Sequence, residues 1–127
     1  MAGKTVMEMV AEAKDRVENL DVEQVAKELE AGALLVDIRE PQERQQASIP
    51  GSISAPRGML EFYADPTLPH HNKELIADRR IVLHCAAGMR SALAADTLQQ
   101  MGYTNVAHLV GGIQAWQESG RPTEPGE

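Results

Sequence analysis

A single cysteine, Cys85, is the only thiol in this 127-residue chain. One cysteine forms no internal disulfide, supplies no CxxC pair and builds no thiolate-rich zinc site. Sulfur or redox chemistry at Cys85 must therefore finish on another molecule. Positive charge is also scarce: 12 basic residues stand against 19 acidic ones, for a net charge of −7. The basic residues are scattered rather than gathered into a stripe, which speaks against nucleic acid and anionic membrane as partners. No apolar run approaches the roughly 20 residues of a membrane span. The N-terminus interleaves Lys4, Glu8, Glu12, Lys14 and Asp15 with its apolar residues, so a signal-peptide core is missing. Repeats and low-complexity blocks are absent too. The expectation is one soluble, cytoplasmic domain with a single core.

What is present reads as helices alternating with short strands. Val6, Val10, Ala13, Val17 and Leu20 recur at spacings of four and three, one stripe of an amphipathic helix over about residues 5–18. Asp21 with Gln24 predicts a helix N-cap and its reciprocal partner, and Gly32 is placed to end that helix. Leu34 to Ile38 is a compact, β-branched apolar run that suits a strand buried on both faces. Pro41 can open a short helix, Ile49-Pro50-Gly51 reads as a turn into a strand at Ile53 to Ala55, and Met59 to Tyr63 can form a helical turn. Ile81 to His84 is the clearest strand. A helix carrying Leu93, Ala94, Thr97, Leu98 and Met101 follows and ends at Gly102. Val106 to Val110 predicts another strand, Gly111-Gly112 a tight turn, and Ile113 to Ser119 a closing helix with Trp116 buried. This alternation implies an α/β domain with a mostly parallel sheet covered by helices on both faces.

The stretch CAAGMRS, residues 85–91, lies between the clearest strand and the helix after it. In open α/β sheets ligands bind beyond the carboxyl ends of strands, where the amides of the next helix point outward. The small residues Ala86, Ala87 and Gly88 let successive N–H groups converge on one point, and Ser91 is placed to cap the helix. A thiol at a helix N-terminus beside a cation such as Arg90 is expected to ionise more readily than a free one. His84 precedes Cys85 on the strand, so its side chain is expected on the opposite face, in a structural role. A free cysteine is also among the most buried residue types and often a plain small hydrophobe. Position and turn chemistry leave both readings open.

Several motifs in order resemble the rhodanese, or sulfurtransferase, domain. They are Leu35-Val36-Asp37-Ile38-Arg39-Glu40-Pro41, Ile49-Pro50-Gly51-Ser52, the loop Cys85 to Ser91, and Gly102-Tyr103 through Val106, Leu109, Gly111-Gly112-Ile113 and Trp116. The resemblance implies a five-stranded central sheet over residues 20–120, with the N-terminal amphipathic helix (1–19) before it and a polar tail (121–127) after it. It implies that Cys85 takes sulfane sulfur from a donor such as thiosulfate as a persulfide. The sulfur then passes to a thiol, a protein acceptor or cyanide, without metal or organic cofactor. The substrate-binding set is Ala86, Ala87, Gly88, Met89, Arg90 and Ser91, with Arg57 as an outlying member.

From Cys85 to Arg90 there are six residues, the sulfurtransferase length, whereas related phosphatases and arsenate reductases have one more. Ala47-Ser48 stands where family members often carry Gly-His. Ala86 and Ala87 stand where enzymes specialised for thiosulfate are often charged, so a dianionic donor would rely on Arg90, the loop amides and Arg57. A binding or carrier module with little turnover is the alternative from another class, and a phosphatase or arsenate reductase relative, disfavoured by loop length, is the third.

Asp37 and Arg39 read as charge-paired scaffold, and Glu61 is in place to orient Arg57. His70-His71 lacks a third ligand at a matching spacing and reads as loop. Met89 is placed at the pocket lip. The first helix packs either on its own domain or on a second copy, so the chain reads as a monomer or a homodimer.

Overall fold

The computed structural model describes residues 3–127. Its centre is the strand that the sequence marks most clearly, Ile81–His84, in which all four residues are buried. Taken in chain order the elements are α1 (Val6–Arg16), β1 (Glu18–Leu20), α2 (Val22–Glu30), β2 (Leu34–Asp37), α3 (Pro41–Gln46), β3 (Ile53–Ser54), α4 (Leu60–Tyr63), β4 (Ile81–His84), α5 (Met89–Gln100), β5 (Val106–Leu109) and α6 (Gly112–Glu118). The strands form one sheet in the order β1-β5-β4-β2-β3, with every pairing parallel. None of the described helices is long and apolar enough to cross a membrane.

Side-chain alternation sorts the core into two layers. Leu34, Val36, Ile81, Leu83, Cys85 and Val106 pack with Leu60 of α4 and Ala94, Ala95 and Leu98 of α5. Leu35, Val82, Ala107 and Leu109 pack on the other face with Val25 of α2 and Ile113 and Trp116 of α6. Helices thus cover both faces, as the pattern of elements predicts.

At three places the structure corrects or completes the sequence reading. The first helix stops at Arg16, and Val17 is already extended at φ −114°, ψ 163°. Asn19 Nδ2 donates to the carbonyls of Lys14 and Val17, and the backbone turns into β1, which pairs with β5. Leu20 is therefore a strand residue on the opposite core face, and Val6 is exposed. Three residues, Glu-Asn-Leu, carry too little β-branched or aromatic character to announce an edge strand. Second, α1 packs on its own domain, through Val10 and Ala13 against Ala92 and an ion pair of Arg16 with Asp96 at 2.7 Å. Third, the polar C-terminal residues fold back. Ser48 and Glu124 exchange backbone hydrogen bonds of 2.6 and 2.9 Å, Gly126 N–H donates to the Arg44 carbonyl, and Trp116 Nε1 donates to Pro122 O. Ser48 is thereby tied to the tail through both its backbone and its hydroxyl.

Under α3 lies a buried charge cluster. Asp37 is wholly buried and accepts from Arg39 at 3.0 and 2.8 Å and from Arg44 at 3.3 Å. Burial works to raise the Asp37 pKa, but Arg39, through its side chain and backbone N–H, and the nearby His84 outweigh it and hold the group below its ordinary value. Removing one partner of such a cluster leaves uncompensated charge in the interior. Asp37→Ala is expected to lose about 3–5 kcal/mol of unfolding free energy in urea titration; a loss under about 1 kcal/mol would show the cluster to be dispensable.

Candidate functional site: the loop after β4

Cys85 follows the last residue of β4 and is 1% exposed, on the floor of the loop that leads into α5. Its Sγ accepts the Gly88 N–H at 3.1 Å and the Ser91 N–H at 3.4 Å. Helix α5 has no side-chain cap at its start, and Gly88 occupies the N-cap position at φ +101°. The first amides of a helix lack intrahelical acceptors. Here the sulfur takes the place of a capping oxygen. Ser91, expected as the cap, is the third residue of α5 instead, because the left-handed turn at Gly88 starts the helix at Met89. Its hydroxyl lies 3.6 Å from Sγ and 2.9 Å from His108 Nδ1.

The loop is held from behind by α6. Ile113 N–H donates to Cys85 O at 2.9 Å and Gln114 N–H to Ala86 O at 3.1 Å. Gly112 sits so close that a Cβ there would overlap Cys85 O and lie 2.5 Å from Ala86 O. Only glycine fits at that point, at φ +59°.

Within the predicted binding set, Ala86 is half-buried, Ala87 and Met89 are exposed, and Gly88 and Ser91 are buried. The Arg90 guanidinium is not free. It is bound by both oxygens of Glu43 on α3, each at 2.9 Å, and the Glu43 carboxyl is held below its usual range chiefly by that pairing. Arg57 is not hydrogen-bonded to the loop. It pairs with Glu61 at 2.8 Å and donates to Thr97 Oγ1 at 3.1 Å, two turns along α5 from Arg90. His84 faces away from the sulfur, as strand alternation requires, with Nδ1 3.2 Å from Cys85 O and Nε2 3.9 Å from Asp37.

Sequence reasoning did not reach four of the residues that shape this site: Glu43, Arg44, His108 and Asn19. His108 is on the face of β5 toward α5, so alternation from Leu109 is the one signal that could have flagged it. Asn19 Nδ2 is committed to two carbonyls, which leaves Oδ1 facing His108 Nε2 at 2.8 Å. Nε2 must then carry the proton and Nδ1 the lone pair, so the Ser91 hydroxyl donates to His108 and turns its own lone pair toward the sulfur. Burial, and to a lesser degree Lys14, lowers the His108 pKa to about 4.

The family described as Rhodanese-like domain matches residues 21–119. A "Sulfurtransferase" of Allochromatium vinosum is 39% identical over 89 residues, 70% of this chain and 76% of that protein. "Thiosulfate sulfurtransferase 16, chloroplastic" of Arabidopsis thaliana is 33% identical over 98 residues, 74% of this chain and 82% of that protein. The structure of a protein of unknown function from Rhodopseudomonas palustris, described as a possible tyrosine phosphatase, superposes with a TM-score of 0.91. It is 40% identical in sequence, and the match covers 98% of this chain and 97% of that one.

The buried histidine has a pH signature. In the folded chain His108 stays neutral down to about pH 4, whereas an unfolded histidine takes up a proton near 6.5. Its contribution is therefore complete above pH 6.5 and is lost as pH falls toward 4, about 3 kcal/mol across that window. Urea midpoints measured from pH 7.5 to 4 are expected to fall, and His108→Phe to flatten the fall. An unchanged slope in the variant would contradict this placement of the proton.

Proposed function

The chain belongs to the rhodanese-like family, a family of sulfurtransferases, and on that premise we propose that Cys85 carries sulfane sulfur as a persulfide between a small donor and a thiol acceptor. The observation that carries this reading is the sulfur's role as the cap of α5, accepting two backbone N–H groups. Those donors are fixed before reaction and suit a negative charge on sulfur. The Cys85 thiolate attacks the outer sulfur of thiosulfate, forming Cys85–S–S⁻ and releasing sulfite. An acceptor thiolate then attacks the outer sulfur of the persulfide and leaves Cys85 as thiolate. Charge and atoms balance in both steps, and no metal or organic cofactor enters. Burial of Cys85 supports a donor that inserts a single sulfur atom. The loop Ala86 to Ser91 lines that entry, Arg57 after β3 stands further out, beside Thr97 of α5, and we place the chemistry in the cytoplasm, where acceptor thiols stay reduced.

The description of the R. palustris protein raises phosphoryl transfer as a second reading. Two features weigh against it: the six-residue loop is the sulfurtransferase length, and the guanidinium that would hold a phosphate is filled by Glu43. Hydrolysis of an aryl phosphate by the protein would favour that reading.

Incubation with thiosulfate is expected to add the mass of one sulfur atom to the wild-type chain at Cys85, and transfer to cyanide is expected to vanish in Cys85→Ser. A wild type that gains no sulfur from thiosulfate or from a hydropersulfide would overturn the proposal.

A further inference from the structure

Anion recognition by this family of chemistry needs positive charge at the mouth, and the sequence offers two arginines for it, Arg90 and Arg57. Among the described residues both are already held by carboxylates. Arg90 is bound at both of its terminal nitrogens by Glu43, and Arg57 by Glu61. Glu43 is itself fixed, because its Oε2 also accepts the Glu40 N–H at 2.9 Å across the first turn of α3. Arg39 and Arg44 are committed to buried Asp37. Ala86 and Ala87 add no charge, and the exposed residues flanking the turn, Met89 on α5 and Val110 after β5, are apolar.

We propose that Glu43 is a specificity-determining residue: by occupying the Arg90 fork it turns the site away from dianionic donors such as thiosulfate and toward hydropersulfides of low charge. This rests on the sulfurtransferase reading and names the donor class for it. Thiosulfate carries two charges and, to reach Arg90, must separate it from a bidentate carboxylate that stays nearby as a like charge. Selectivity here comes from the repelling group as much as from the attracting one. A hydropersulfide needs no guanidinium. The Cys85 thiolate attacks its terminal sulfur, the S–S bond breaks, RS⁻ leaves, and Cys85–S–SH remains with the proton still on the outer sulfur. The Arg90–Glu43 pair is partly open to solvent, with side chains 40% and 33% exposed, so the barrier is a graded penalty on anions rather than a closed gate.

The test is the second-order rate of sulfur gain at Cys85, read by mass spectrometry, with thiosulfate and with 2-hydroxyethyl hydropersulfide as donors. In Glu43→Gln the thiosulfate rate is expected to rise about tenfold, the scale of one charge a few ångström from the anion in partly solvated surroundings. The hydropersulfide rate should change less than about twofold. Glu43→Gln combined with Arg90→Gln should return thiosulfate to the wild-type rate, which a merely structural role for Glu43 would not produce. Should Glu43→Gln not fold, wild-type salt dependence serves instead: from about 0.05 to 0.5 M salt the thiosulfate rate is expected not to fall. Equal factors for both donors in Glu43→Gln, or a several-fold fall with salt in the wild type, would overturn the proposal alone. No sulfur gain from either donor would overturn the sulfurtransferase reading as well.

Discussion

The carbonyls of Cys85 and Ala86 need hydrogen-bond donors before the rest of the loop can turn its amides to sulfur. Those donors come from the first turn of α6, whose Ile113 and Gln114 N–H groups donate to the two carbonyls at 2.9 and 3.1 Å because position 112 has no side chain. The sheet order makes this meeting possible. Parallel neighbours β4 and β5 end at the same edge, so the Cys85 loop and the Gly111-Gly112 turn leave the sheet side by side. With the carbonyls drawn toward α6, the Gly88 and Ser91 amides face Sγ, and sulfur becomes the cap that α5 otherwise lacks.

Two buried polar groups brace this arrangement from opposite faces of the sheet. Beneath α3, Asp37 gathers Arg39 and Arg44, and Arg44 also donates to Ser52 Oγ and O at 2.8 Å each, tying β2, α3 and the turn before β3 into one unit. That unit carries Glu43, which holds Arg90. On the α5 side, the chain Asn19–His108–Ser91 runs from β1 through β5 to the sulfur. Asn19 lies just before the region matched by the family, so the N-terminal segment helps to fix the orientation of a hydroxyl in contact with the Cys85 sulfur. In both groups the electrostatics at the mouth and around sulfur are set by residues distant in sequence.

This explains how much was legible in the chain alone. Local signals were reliable where local physics decides: the Asp21–Gln24 capping box of α2, Pro41 at the start of α3, the buried run of β4 and the direction of His84 all appear as read. The paired Asp37 and Arg39 and the ion pair of Glu61 with Arg57 also follow from short spacing. What could not be read depends on strand order and on contacts across 17 to 89 residues, as in Ser91–His108 and His108–Asn19. Edge strand β1 is three residues long, with a side-chain pattern that continues the helix before it, so only its pairing with β5 reveals it. The capping role assigned to Ser91 failed for a related reason: the sulfur itself terminates the helix, a use of cysteine for which spacing gives no cue.

The claim at the centre of this account is that the amide-capped sulfur of Cys85 is a transient carrier rather than a sink. It is tested most directly in a single turnover: protein preloaded with one sulfur is freed of donor and mixed with a small thiol, and the mass of the chain is followed together with the acceptor. Loss of one sulfur at a rate proportional to thiol concentration, with one acceptor hydropersulfide formed per chain, is the expected result. Sulfur that stays on Cys85, or leaves at a rate independent of the thiol, would contradict it.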